Sequence, residues 1–146
     1  MEQVRATGNA FAQPLFDCML GEALLLAGRV TEALKSVVGA QGEIDKQGES
    51  QFQSLVLYTR GDALLAFDQR DQGEAESCYL RAIGVARSQE ARWWEHRTAT
   101  RLARLWHSQG KTNEARDLLA PVYGWFTEGF DTADLKEAKA LLNEIS

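Results

Sequence analysis

Proline is nearly absent from this 146-residue chain, with two in total. Because proline removes a backbone donor and breaks helices, its scarcity permits long uninterrupted helical segments. Cysteine is equally scarce. Cys18 and Cys78 stand 60 residues apart with no CxxC pattern, which excludes a disulfide framework and reads as two reduced core thiols. Basic charge is in deficit, with 16 Lys and Arg against 21 Asp and Glu and a net charge of −5. That balance argues against a general nucleic-acid binder. No apolar run approaches the roughly 18 to 20 residues needed to cross a bilayer. The first residues, MEQVRATGNAFAQP, lack the continuous apolar core of a secretory signal. The expectation is a cytoplasmic protein without a membrane segment.

What is present favours helix. Ala, Leu, Glu, Gln and Arg are abundant, β-branched residues are sparse, and no alternating stretch of useful length occurs. Hydrophobic periodicity places helices at Phe11–Ala27, Thr31 to about Ala40, Ser50–Phe67, Glu74 to about Ser88, Ala91–His107 and Thr112 to about Trp125. Pro14 falls in the first turn of its helix, where it is tolerated, and Pro121 falls inside the sixth. Residues 1–9 are polar and expected to fray. Gly39 to Glu49, with three glycines, reads as a loop, and Asp68 to Gly73 as a charged turn. Asp131 or Thr132 caps a last helix carrying Leu135, Ala138, Leu141, Leu142 and Ile145 on one face.

The helices fall into three pairs. Ala33, Ala75 and Ala115 sit early in the second helix of each pair, 42 and 40 residues apart. Around them recur a leucine–small pair or lone small residue (Leu20-Gly21, Gly61, Leu102-Ala103), a large residue three on (Leu24, Leu64, Trp106), and a turn glycine in the first and third (Gly28, Gly110). A large and a small residue follow the alanine in each pair (Val37 and Ala40, Tyr79 and Ala82, Leu119 and Val122). This pattern resembles the tetratricopeptide repeat, with a period longer than the usual 34 residues or so. The resemblance implies an all-α, right-handed α–α superhelix of three helical hairpins, at about 11–45, 50–88 and 91–126, plus a capping helix at about 132–145, all within one domain. The stretch from about Trp93 to Leu142, and GWFTEGFDT-x-DL within it, also resembles the C-terminal repeat tail of bacterial AAA/STAND-type signalling ATPases and cyclase-linked regulators. This chain carries no GxxxxGK[ST] loop and no cyclase aspartates. The resemblance therefore implies a fragment or stand-alone descendant of such a tail, without its enzymatic chemistry.

The search for chemistry gives little. His96 and His107 are 11 residues apart, about 16 Å of helix, too far to share a metal ion. Neither cysteine has a histidine near it in sequence, and no carboxylate pair stands out. We therefore expect no enzyme activity, no metal and no cofactor. The binding features are more informative. In the tetratricopeptide register the first helix of each pair lines a concave groove. That register turns Leu25, Leu55, Tyr58 and Leu65 toward the groove in the first two pairs, and Arg97, Arg104 and His107 in the third. The expectation is an apolar groove with a basic end, suited to an amphipathic helix or peptide bearing a carboxylate, or to a second copy of the chain. Against it stand a register in which the leucines are ordinary core, and arginines that pair with Glu90, Glu95 or other nearby acids. Two further readings are a small-molecule sensor pocket in the groove and nucleic-acid binding through the arginine-rich fifth helix. Trp93, Trp94, Trp106 and Trp125 are expected mostly to fill gaps between the third pair and the capping helix, with a ligand-stacking platform as the alternative.

Overall fold

The computed structural model describes residues 13–47, 51–68, 72–126, 129 and 132–145. They contain seven helices and no strand: α1 (Gln13–Leu26), α2 (Val30–Gln47), α3 (Gln53–Phe67), α4 (Gln72–Ser88), α5 (Arg92–Ser108), α6 (Thr112–Tyr123) and α7 (Ala133–Ile145). The expected start at Phe11, the boundary at Ser50, the middle of the Asp68–Gly73 turn and Asp131 lie outside the described residues. The chain divides into two compact units, Met1–Val85 and Ala86–Ser146.

In the first unit α1 packs on α2 and on α3, and α2 packs on α3. The small residues of these helices lie at their contacts. Gly21 lets α1 approach α2 and α3 closely: a Cβ there would stand 3.3 Å from Val37 Cγ2 and 3.7 Å from Thr59 Cγ2. Ala33, Val37 and Ala40 are fully buried. α3 is buried without interruption from Ser54 to Thr59, as its all-round apolar sequence implies. It meets α4 through Tyr79, whose hydroxyl donates to Asp62 at 2.6 Å. The Tyr79 ring lies over Gly61, leaving so little room that a Cβ there would come within 2.6 Å of Cε1.

One element differs from expectation. The glycine-bearing stretch from Gly39 is not a loop; α2 continues through it to Gln47. Ile44, 3% exposed, extends the buried stripe Ala33–Val37–Ala40 by one more turn, and Gln41 donates to Asp45 at 2.9 Å on the outer face. A glycine in a helix interior costs about 1 kcal/mol relative to alanine, and burying an isoleucine returns roughly 1.5–3 kcal/mol.

The second unit is built from α5, α6 and α7, each in contact with the other two. Its core is Ala99 and Ala103 from α5, Ala115, Leu119 and Val122 from α6, and Ala138, Leu141 and Ile145 from α7. Trp106 packs against this core, as expected, whereas Trp93 and Trp125 are 38% and 44% exposed, and Trp125 carries the Arg92 guanidinium over its ring at 4.7 Å. Pro121 lies inside α6.

The turns of the first and third pairs match bond for bond. Gly28 N–H donates to Leu25 O at 3.0 Å and Arg29 N–H to Leu24 O at 2.8 Å, while Ala33 N–H reaches Arg29 O at 3.0 Å. Gly110 N–H donates to His107 O at 3.0 Å, Lys111 N–H to Trp106 O at 2.8 Å, and Ala115 N–H to Lys111 O at 3.0 Å. Both glycines adopt the left-handed conformation, at φ 78° and 82°. This is the Schellman closure, in which the last carbonyls of one helix are satisfied by the two residues that leave it. The same pattern joins α4 to α5, where Glu90 takes the left-handed position at φ 55° and Ala91 N–H returns to Ala86 O at 2.8 Å.

Candidate functional site

The basic face expected on the third pair is present and occupied. Arg97, Arg104 and His107 fall at i, i+7 and i+10 of α5, hence on one side of it. Each meets an acid of α7. Arg97 Nε is 3.4 Å from Asp134 Oδ2, Arg104 pairs with Glu137, and His107 Nε2 is 3.6 Å from Glu144 Oε1. Partners rise in number together along both helices, so α7 runs in the same direction as α5. The outer pairs are ten residues apart on each helix, about 15 Å of rise on both sides, so these two are in register, while Arg104 reaches back to Glu137 between them. The acids flank the apolar stripe of Leu135, Ala138, Leu141 and Ile145 that α7 buries. The carboxylates sought in an external partner, or in Glu90 and Glu95, are thus supplied to these three side chains by the last helix.

The ends of α7 are fixed as well. Thr132 caps it: its backbone carbonyl accepts from Lys136 N–H at 3.0 Å, and its hydroxyl accepts from Leu135 N–H at 3.5 Å and donates to Gly129 O at 2.7 Å. At the far end the Arg116 guanidinium of α6 donates to Ile145 O, from Nε at 3.2 Å. A cation placed there also complements the negative end of the helix dipole.

Buried beside this ladder is His96. Its side chain is wholly enclosed and neither ring nitrogen has a hydrogen-bond partner. Trp93 stacks on it with ring centroids 6.0 Å apart, and Phe126 meets it edge-on at 5.1 Å. Burial in this aromatic setting pushes its pKa down, opposed by the nearby charges of Asp134 and Glu137. Its neighbour Glu95 is also buried, and accepts a hydrogen bond from Arg87 Nε at 2.8 Å. The signal that places His96 inside is its position three and seven residues before the core alanines Ala99 and Ala103.

The apolar residues expected to line the groove divide. Leu25 and Leu65 are half-buried. Leu55 and Tyr58 are 5% and 0% exposed and belong to the unbroken buried run of α3, so as they stand they offer no surface to a partner. Their helix is apolar on too many sides for one face to be singled out by spacing. The exposed apolar surface lies elsewhere. On α1, Phe16, Met19 and Leu20 are 45%, 57% and 46% exposed, and Leu26 at its end is 91% exposed. The polar Gln13 and Asp17 of the same helix face inward, with Gln13 Nε2 donating to Asp17 Oδ1 at 2.9 Å. α1 is thus turned with an apolar stripe outward, an orientation that its low amphipathicity leaves unspecified in the sequence.

Neither cysteine is in a disulfide, and both are buried. Burial pushes the Cys18 thiol up to about 12, against a hydrogen bond with Thr59 that acts the other way. Among the described residues no group of three His, Cys, Asp or Glu side chains is arranged to hold a metal ion, and no helix is long and apolar enough to cross a membrane. Comparison with known protein families and with curated proteins finds nothing that matches this chain.

Proposed function

We propose that the chain is a non-enzymatic protein-interaction module of tetratricopeptide-like build, acting in the cytoplasm in a regulatory role. The observation that carries this reading is the outward stripe of Phe16, Met19 and Leu20 on α1. Large apolar side chains at i, i+3 and i+4 on one exposed helical face form a patch of the kind that marks an interaction site, and such a stripe packs well against another helix. A second copy of the chain is the simplest occupant, because a two-fold contact buries the same stripe on both partners at once. The repeated Schellman turns and the buried alanines at matching positions support the tetratricopeptide-like build. The resemblance of Trp93–Leu142 to the tails of signalling ATPases supports the regulatory role.

Light scattering on the purified chain tests the reading, followed by Met19→Glu and Leu20→Glu. The expected result is a dimer that either substitution converts to monomer at low micromolar concentration without loss of helix content. A chain that is monomeric from the start, and whose variants keep every binding partner recovered with the parent, would falsify it.

A further inference from the structure

We propose that the surface formed by α5 and α6 is a helix-receiving site, now filled by α7, and that it accepts an acidic amphipathic helix of the same pattern from a partner protein. This is a second interface, independent of the α1 stripe. The specification of the ligand is written in α7 itself. It needs acids at the positions of Asp134, Glu137 and Glu144, which meet Arg97, Arg104 and His107, and it needs small and large apolar residues at the positions of Ala138 and Leu141 to enter the core. In its present seat α7 lies parallel to α5, and the acids are read in that direction.

Two features make the occupant exchangeable. First, the ladder is mostly open to water: the Arg104 and Glu137 side chains are 49% and 51% exposed, and Glu144 is 66% exposed. Exposed pairs of this kind add little to holding strength but do select partner and register. The apolar stripe supplies the adhesion and the charges supply the choice. Second, α6 ends at Tyr123 and α7 begins at Ala133, with nine residues between them in sequence, among them Gly129 at φ 80°. At about 3.3 Å per residue nine residues reach roughly 30 Å at full extension, so α7 can leave its seat once Phe126 lifts from Trp93 and His96.

The probe is a fluorescent synthetic peptide of residues 132–145, titrated with the full chain. Asp134→Lys, Glu137→Lys and Glu144→Lys are combined in the chain to loosen its own α7. All three positions are at least partly exposed, and circular dichroism checks that the core survives. The loosened chain is expected to bind the peptide at least tenfold more tightly than the parent. Arg97→Glu with Arg104→Glu in the loosened chain is expected to abolish binding of the acidic peptide, because it repels the peptide's acids and re-pairs the chain's own α7 lysines. Absence of saturable binding by the loosened, folded chain overturns the proposal. So does equal binding of the acidic peptide and of one carrying Lys at the three acidic positions, which would show contact without the charge pattern. Neither result bears on the α1 variants, so the two readings fail separately.

Discussion

Gly61 and Gly42 have the same chemistry and opposite surroundings. Gly61 faces the Tyr79 ring at a distance no Cβ can share, whereas a Cβ on Gly42 meets nothing within 4 Å. Gly61→Ala therefore forces the Tyr79 ring, with its hydroxyl bonded to Asp62, out of place, and overpacking of this kind costs about 1–3 kcal/mol. Gly42→Ala removes only backbone freedom from the unfolded chain and is expected to stabilise by about 0.5–1 kcal/mol. Chemical denaturation of the two variants should move the midpoint in opposite directions; movement in the same direction would contradict the packing described here. His96 makes the pH-dependent counterpart. Its pKa in the folded chain lies below the unfolded value near 6.5, so the unfolded chain takes up a proton first. The stability associated with neutral His96 is present above about pH 6.5 and is lost as pH falls below it, with a slope of at most about 1.4 kcal/mol per pH unit for one proton. Stability measured between pH 7 and 5 should decline in the parent and decline less in His96→Leu. Identical slopes would place the imidazole in contact with water in the folded state.

At the scale of the element, the turns and the helix ends show what was legible in the sequence. The pairing of a glycine with an alanine five residues on, at Gly28 and Ala33 and again at Gly110 and Ala115, can be read directly because the left-handed position and the close helix approach each admit few residue types. Gly110→Ala should cost about 1 kcal/mol through its positive φ alone, seen as a lowered denaturation midpoint with unchanged helix content. Two features were not legible. α2 runs on past Gly39 and Gly42 because Ile44 is buried four residues beyond Ala40, and propensity alone cannot weigh a tertiary contact against a glycine. The orientation of α1 was hidden for a related reason: with apolar residues on several sides, the helix does not declare which side is inner. The spacing of Arg97, Arg104 and His107 puts them on one side of α5, but periodicity within α5 carries no information about a helix that begins 25 residues after α5 ends.

For the molecule as a whole, the charge is unevenly divided. Residues 1–85 hold twelve acidic and seven basic side chains, a net charge of −5, while residues 86–146 hold nine of each and are neutral. The acidic total that argued against nucleic-acid binding therefore belongs to the first unit, and in the second the opposing consideration is local: Arg97 and Arg104 already face carboxylates. This division gives the self-association prediction a salt signature. Two first units of like charge repel at low ionic strength, so added salt, which shortens the Debye length to about 8 Å at 0.15 M, should hold or strengthen a dimer seated on Phe16, Met19 and Leu20. Dissociation of the dimer on raising salt from 50 to 300 mM, followed by light scattering, would instead indicate a contact made by opposite charges.

The Schellman closure recurs at Gly28, Glu90 and Gly110. The same three hydrogen bonds form whether the fourth residue of the turn is glycine or glutamate, and whether the turn lies inside a pair or between pairs. A joint of one pattern makes the helices between joints interchangeable in their ends, if not in their faces. Such a chain can gain or lose a whole helix without inventing a new corner, and its length becomes a variable that heredity can adjust in steps.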